Sequence, residues 1–565
     1  MNTFRRAFSL IMALVLLFSL SLSVFAADYT AADPSELYTA FSDTSGENVN
    51  INITANINGG NYTAQDGINY NIYTENNSSL ITPSFDGSGS VEVNTQVEDN
   101  IVTFEDVSVT INGDTNADIT AYDNSTISIT GNADDDVAAY DEASITVAGN
   151  VDGYVSTTDE ATITVGGDVT YSASADGNSS VAVNGNIDSA FAYENSSISV
   201  AGDLLSYANA LDNAIVTVGG DAHDGLFAFD NSSISVAGNV GGLVNTSDDA
   251  QITVGGNANS GINAEDNSFV TVKGSVNGEN GDPDDVDYTD PEGYSDGYTA
   301  ISAYDNATVT VGGNVTGGNS YGTFGYGGTG VYAEDFATVT VGGDVTGGNV
   351  IADPNTEAIE GGESFAGTGI FMSNTATVSV GGKVTGGKTN GDQGYGGSGV
   401  VIDLNSNGES GSISVKGTVA AGMGENKDSG TDLILLKEFT ESYTPAMPSI
   451  KFGYCETISG EGFEVGELES LTEALRASFV KDSAADFFWA DVMKQIRATK
   501  AGDEITIDVK NRTKISAAVI EAARDQEVTL IIKWNGGDDL VITKDFTEEV
   551  RGFILLKDLA EMLKK

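Results

Sequence analysis

A glycine that returns every eighteen residues constrains this chain more than any other feature. It closes a Val-x-Val-x-Gly-like unit at Gly113, Gly131, Gly149, Gly167, Gly185, Gly202, Gly220, Gly238, Gly256 and Gly274, and only the step into Gly202 is seventeen. Stepping back reaches Thr95, after Val91-Glu92-Val93-Asn94, then a degenerate slot and then Gly59; onward the anchors are Gly313, Gly343, Gly382 and Gly417 at wider steps. A unit this short cannot enclose a core. Each copy has to bury its apolar side against the next, so the expected architecture is a cooperative stack.

Within a repeat, Thr162-Ile163-Thr164-Val165 alternates polar and apolar residues with the period of a half-buried strand. A second piece, as in Ile301-Ser302-Ala303, is followed by an Asp-Asn pair, and the ruler glycine is followed by Asn or Asp. Both pairs suit turns because they tolerate left-handed backbone angles. Helical periodicity is absent here. The pattern predicts a mainly β protein, a narrow parallel β-solenoid of about eighteen residues per coil followed by a small α+β domain. The inward slot of the second piece is mostly alanine (Ala121, Ala139, Ala175, Ala192, Ala210, Ala228, Ala264, Ala303 and Ala333), which implies a thin core between two close sheets.

Two polar columns recur with the same step. Eight residues before the ruler glycine stand Asp123, Asp141, Asp159, Glu194, Asp212, Asp230, Asp248, Asp266, Asp305 and Asp335. The plain reading is turn capping, in which side-chain oxygens satisfy backbone donors. The sharper reading is calcium, a hard cation that takes carboxylate and carbonyl oxygens and would relieve like-charge crowding. The G-G-x-G-x-D-x-U-x nonapeptide of calcium-loaded β-rolls is lacking. No cofactor is required by the pattern, and calcium is the one it admits. Outward T-x-T and S-x-S pairs, such as Thr162/Thr164 and Ser197/Ser199, resemble the faces of ice-binding solenoids. Ser and Thr also simply suit exposed strands.

Beyond Gly274 the steps lengthen to thirty-nine, thirty, thirty-nine and thirty-five residues. In the last three the extra chain enters after Val-Thr-Gly-Gly, at Gly318, Gly348 and Gly387, and returns through Gly328-Thr329-Gly330, Gly367-Thr368-Gly369 or Gly397-Ser398-Gly399. Insertions at one phase of a solenoid share one edge, and such edges bind ligands. They carry Tyr288, Tyr294, Tyr298, Tyr321, Phe324, Tyr326, Phe365 and Tyr395, and of these all but Phe365 are the candidate ligand-binding residues. Aromatic rings stack on sugars or anchor a protein partner. The acidic run from Asp282 to Asp287 does not fit an EF-hand.

Charge and composition bound the function. With 83 Asp plus Glu against 24 Lys plus Arg, the formal net charge is −59. Nucleic acid and anionic membranes are excluded as partners by repulsion. One Cys and one His, Cys455 and His223, leave no disulfide, no thiolate zinc cage and little His-based chemistry. No Lys or Arg lies between Arg6 and Lys273, whereas residues 467–565 hold 15 basic and 19 acidic side chains. That break sets the expected organisation: 1–26 signal peptide, 27–430 solenoid with insertions from about 276, 431–466 linker and 467–565 the α+β domain. Arg5-Arg6, the apolar run to Phe25 and Val24-Phe25-Ala26 read as an export signal with its cleavage box, leaving no membrane span afterwards.

In the last region Glu504–Val509 reads as a strand, Ile515–Arg524 as a helix, and Val528–Trp534 with Leu540–Thr543 as a hairpin. Phe488-Trp489, Gly502-Asp503, Asn511-Arg512-Thr513-Lys514 and Trp534-Asn535-Gly536-Gly537 together resemble a recurrent C-terminal module of secreted surface proteins of anaerobic Gram-positive bacteria. The repeats are similar to those of adhesin-like β-solenoid proteins. The resemblance implies an extracellular, cell-surface setting and transfers no catalytic residue. The expected function is therefore non-enzymatic adhesion or surface display toward a host or bacterial surface glycan or protein. The alternative is a parallel β-helix enzyme acting on a neutral polysaccharide.

Overall fold

The computed structural model describes residues 26–565 apart from 284–293, 323–324, 352–363, 390–393, 405–409, 425–429, 438–446, 464, 481–491, 493–494, 497, 510–511, 513, 536, 547–552 and 565. The expected signal peptide thus lies, but for Ala26, outside the described residues. The protein is mainly β, with long parallel sheets of stacked coils and a small α/β region at the C-terminal end. It divides into two compact units, Met1–Asn277 with Ile301–Gly313, and Gly278–Ala300 with Asn314–Lys565.

In the first unit the Val-x-Val strands pair in parallel one coil apart. Ile127 stands against Ile145, Ile145 against Ile163 and Ile163 against Val181, with Thr126, Ser144 and Thr162 in register on the outer face. The alanine strands do the same, Ala121 against Ala139 and Ala192 against Ala210. The coil also has a third side that alternation did not reveal. One buried residue after each Gly-Asx bridges to the next coil, as in Ala133–Val151, Val151–Val169 and Leu204–Ala222. Apolar side chains from three directions therefore close each coil. A fully buried Val or Ile contributes roughly 1.5–3 kcal/mol, which only a stack can realise.

Steric crowding requires glycine at the ruler position. A Cβ on Gly131, Gly149, Gly167, Gly185 or Gly220 would fall well inside 3.0 Å of the side-chain oxygen of the Asn or Asp one coil earlier. That oxygen is held there by the next Asx amide: Asn150 N donates to Asn132 Oδ1 at 2.8 Å, and Asp168 N to Asn150 Oδ1 at 2.9 Å. The glycine and the Asx column are one device. A second device replaces inward alanine. Thr103 and Thr157 are buried, and their hydroxyls meet Ser125 and Ser179 at 2.7 and 2.8 Å, so the added polar atoms satisfy each other.

The opening coils differ from the regular ones. Helix Pro34–Phe41 is capped by Asp33, whose Oδ1 accepts Ser35 N at 2.9 Å and Glu36 N at 3.0 Å. Its Phe41 stacks on Tyr70 at 4.3 Å between centroids and tilts against Tyr62 and Phe85. Neither this helix nor its aromatic core follows from the eighteen-residue pattern.

In the second unit the thin alanine slot does not persist. Ala333 is followed in register by Met372, Ile402 and Leu435, all fully buried. The stretch 431–466, expected as a linker, is corrected by the same register: Leu433–Leu436 and Ser449–Cys455 pair in parallel with the strands of the coil before, and Leu433–Leu436 pairs onward with Ile458–Glu461. The apolar run Leu433-Ile434-Leu435 builds another coil, and Cys455 is buried in it.

The C-terminal region holds the expected strand at Glu504–Asp508, paired in parallel with Thr529–Lys533 around helix Ala517–Asp525, and the hairpin to Leu540–Ile542. Val519, Ile520, Leu530, Ile532, Ile542, Leu556 and Leu559 form its core. Phe488 and Trp489 lie outside the described residues, and helix Val465–Val480 is an addition to the expectation.

Candidate functional site

The predicted metal column is built as a turn. Asp123, Asp141, Asp159, Asp212, Asp230, Asp248, Asp266, Asp305 and Asp335 all adopt left-handed backbone, with φ from 52° at Asp335 to 62° at Asp159. In several coils the carboxylate reaches back to the coil before it. Asp141 Oδ2 accepts Asp123 N at 3.3 Å, and Asp266 Oδ2 accepts Asp248 N at 3.3 Å. These oxygens serve backbone donors, the capping role weighed against calcium. A different acidic group comes together nearby. Carboxylate oxygens of Asp118, Asp135 and Asp136 lie within 4.8 Å of one another on the exposed surface. Burial, then the Asp135 charge, raise the Asp118 pKa above the ordinary carboxylate value. Three oxygens are a thin donor set for calcium, which takes 6–8.

The inserted segments are not plain loops. Outgoing and returning arms cross the solenoid wall side by side, joined in one column of hydrogen bonds. Gly318 N donates to Tyr298 O, Gly328 N to Gly318 O, Gly348 N to Gly328 O, Gly367 N to Gly348 O, Gly387 N to Gly367 O and Gly397 N to Gly387 O, at 2.7–2.9 Å. A Cβ on any of these glycines would fall well inside 3.0 Å of a carbonyl oxygen. Only glycine lets two arms per coil share a spacing normally filled by one strand. Beyond this neck the inserts form their own small sheets, with Ser320 against Val350 and Ser364 against Gly394 in parallel. Ser320, Val350, Ser364 and Thr389 are buried between them.

On that support two of the candidate rings, Tyr326 and Tyr395, converge on Phe365, which the sequence reading does not single out. Tyr326 bridges to Phe365, and Phe365 pairs with Tyr395. Their rings stack at 5.6 Å and 5.2 Å between centroids, with planes 9° and 12° apart. They remain 53%, 38% and 40% exposed, enough to form a continuous apolar ridge rather than a covered core. The ridge starts after Asp296, whose Oδ1 accepts Tyr326 N at 2.7 Å. Tyr298 is exposed, Tyr321 is half-buried opposite Ser295, and Tyr294 pairs with Gly322 through its backbone. Tyr288 and Phe324 lie outside the described residues.

Stacking alone does not mark a site. Phe104, Tyr122 and Tyr140 also stack, at 5.2 and 4.9 Å, as do the exposed Tyr154 and Tyr171 at 5.1 Å, because coils in register bring like residues together. The ridge is distinct in standing on a separate, glycine-necked support. Phe365 has a ring against each of its faces, while Tyr326 and Tyr395 each turn one face to Phe365. No known protein family, curated protein or solved structure matches the chain.

Proposed function

We propose that this is an exported, non-enzymatic display protein whose solenoid coils carry a contact ridge for a protein partner at a cell surface. The observation that carries the reading is the ridge itself: three rings in register, exposed, on inserts that the glycine neck locks at one edge. Three rings that turn their inner faces to one another present a row of apolar edges, which matches an apolar strip on a protein better than a sugar ring lying flat. A net charge of −59 favours neutral or basic partner surfaces and disfavours anionic ones.

The test is retention of the labelled protein on intact bacterial and epithelial cells. Replacing Tyr326, Phe365 and Tyr395 together by Ser should abolish retention, and shaving the cells with protease should do the same. Replacing Tyr154 and Tyr171, an equally exposed stacked pair elsewhere, should leave retention unchanged. Retention that survives the ridge variant removes the ridge from the mechanism, and retention that survives shaving removes the protein partner.

A further inference from the structure

The opening coils of the first unit carry a surface unlike the Ser/Thr face of the later ones. Asn48-x-Asn50-x-Asn52 and Asn69-x-Asn71 alternate with buried Val49, Ile51, Tyr70 and Ile72, so the asparagines point outward. In register, Asn48 stands against Asn69 and then Ser90, while Asp28 stands against Asn50, Asn71 and then Glu92. Two polar rows thus run along the stack at the strand spacing of about 4.8 Å.

The side chains within each row hold one another. Asn50 Nδ2 donates to Asp28 Oδ1 at 2.9 Å, Asn71 Nδ2 to Asn50 Oδ1 at 3.1 Å, and Asn69 Nδ2 to Asn48 Oδ1 at 3.2 Å. The Ser90 hydroxyl donates to Asn69 Oδ1. A carboxamide has two N–H donors and two acceptor lone pairs. Asn50, for example, uses one donor toward Asp28 and one acceptor toward Asn71, which leaves one of each for a ligand. The rows line a trough of about 630 Å³, within the range of small-molecule sites.

We propose that this trough binds a neutral oligosaccharide lying along the coil stack. Paired donors and acceptors repeated at a fixed step answer hydroxyl groups, which both give and accept hydrogen bonds. The ladder fixes the amide rotamers beforehand, so little side-chain freedom is lost on binding. Anionic chains are excluded, because Asp28 and Glu92 flank the rows and no Lys or Arg lies between Arg6 and Lys273. The proposal stands apart from the ridge, whose residues are in the other unit, so either reading can fail alone.

Calorimetric titration of the full chain with cellohexaose, mannohexaose, maltohexaose and chitohexaose tests it, with hexagalacturonate as the anionic control. At least one neutral chain should bind, hexagalacturonate should not, and Asn50→Ala with Asn71→Ala should weaken binding by about tenfold or more. Asn94→Ala removes another rung of the same ladder, the donor to Asn71 Oδ1 at 2.8 Å, without lining the trough. It should lower the melting temperature comparably and keep the affinity. Failure of all four neutral chains, preference for hexagalacturonate, or equal weakening by Asn94→Ala would overturn the proposal and leave the amides a purely structural ladder.

Discussion

The pairing of ruler glycine with the preceding Asx makes a quantitative prediction at Gly167. Its φ is outside the left-handed region, so alanine there carries no backbone strain. A Cβ would lie well inside 3.0 Å of Asn150 Oδ1, while the next atoms, Asn150 Cγ and Gly149 C, stand at 3.0 Å. The clash is therefore almost wholly with one side-chain oxygen, itself fixed by Asp168 N at 2.9 Å. Gly167→Ala should cost about 1–3 kcal/mol as overpacking. Asn150→Ala should cost about 0.5–1.5 kcal/mol for its lost hydrogen bond. In the double variant the oxygen is gone and the steric cost with it, so the total should fall back to about that of Asn150→Ala alone. The expected coupling is thus about 1–3 kcal/mol, far above the few tenths by which independent sites deviate. Guanidinium unfolding, with native-state hydrogen exchange of the amides from Val165 to Val169, measures it. Strict additivity would show that the glycine is required by something other than the Asx oxygen.

Three further outcomes follow from the same geometry. Ala192→Phe, at a fully buried slot between two coils of alanine, should destabilise the first unit by roughly 1–3 kcal/mol in denaturant melts, whereas a bulky residue is already native at the equivalent Met372. Asp118→Asn should raise the melting temperature at neutral pH and lose that advantage on acidification, because burial and Asp135 raise the Asp118 pKa and so make its charged form the disfavoured one. Asp33 runs the opposite way. The Ser35 hydroxyl and then the Glu36 amide lower its pKa below 3.8, so its capping contribution is present above that value and is lost as pH falls through the lowered one; exchange protection of helix Pro34–Phe41 should drop in that window, and the drop should shrink in Asp33→Ala.

The regular coils were legible because a parallel, in-register stack turns a period in sequence directly into neighbours in space. Gly149, Asn150 and Ile163 could each be assigned a wall position from spacing alone. The third side escaped notice because it rests on one residue per coil, such as Val151 or Leu204, too short to show alternation. The coil built from Leu433–Leu436 and Ser449–Cys455 escaped because its step departs from the ruler, although the apolar run was there to be read. The opening asparagine rows carry a period-two signal as clear as any Thr-x-Thr pair, but no ruler glycine at the regular step sets their register.

The ridge failed to separate from the other aromatics for a more specific reason. Counted from the ruler glycines Gly313, Gly343 and Gly382, Tyr326 and Tyr395 fall thirteen residues on but Phe365 twenty-two, because the middle insert is longer. Counted from the returning neck glycine they coincide: Tyr326-Gly327-Gly328, Phe365-Ala366-Gly367 and Tyr395-Gly396-Gly397 each place a ring two residues before it. The same count puts Asp296 in the ring position of the preceding coil and Tyr298 at the neck itself, where the later coils have glycine. Register in an inserted lobe is set where the chain re-enters the wall, because that is where backbone hydrogen bonds from the neighbouring coils first fix it. Anchoring the alignment there selects three of the eight insert aromatics, and among the described residues these three stack on one another.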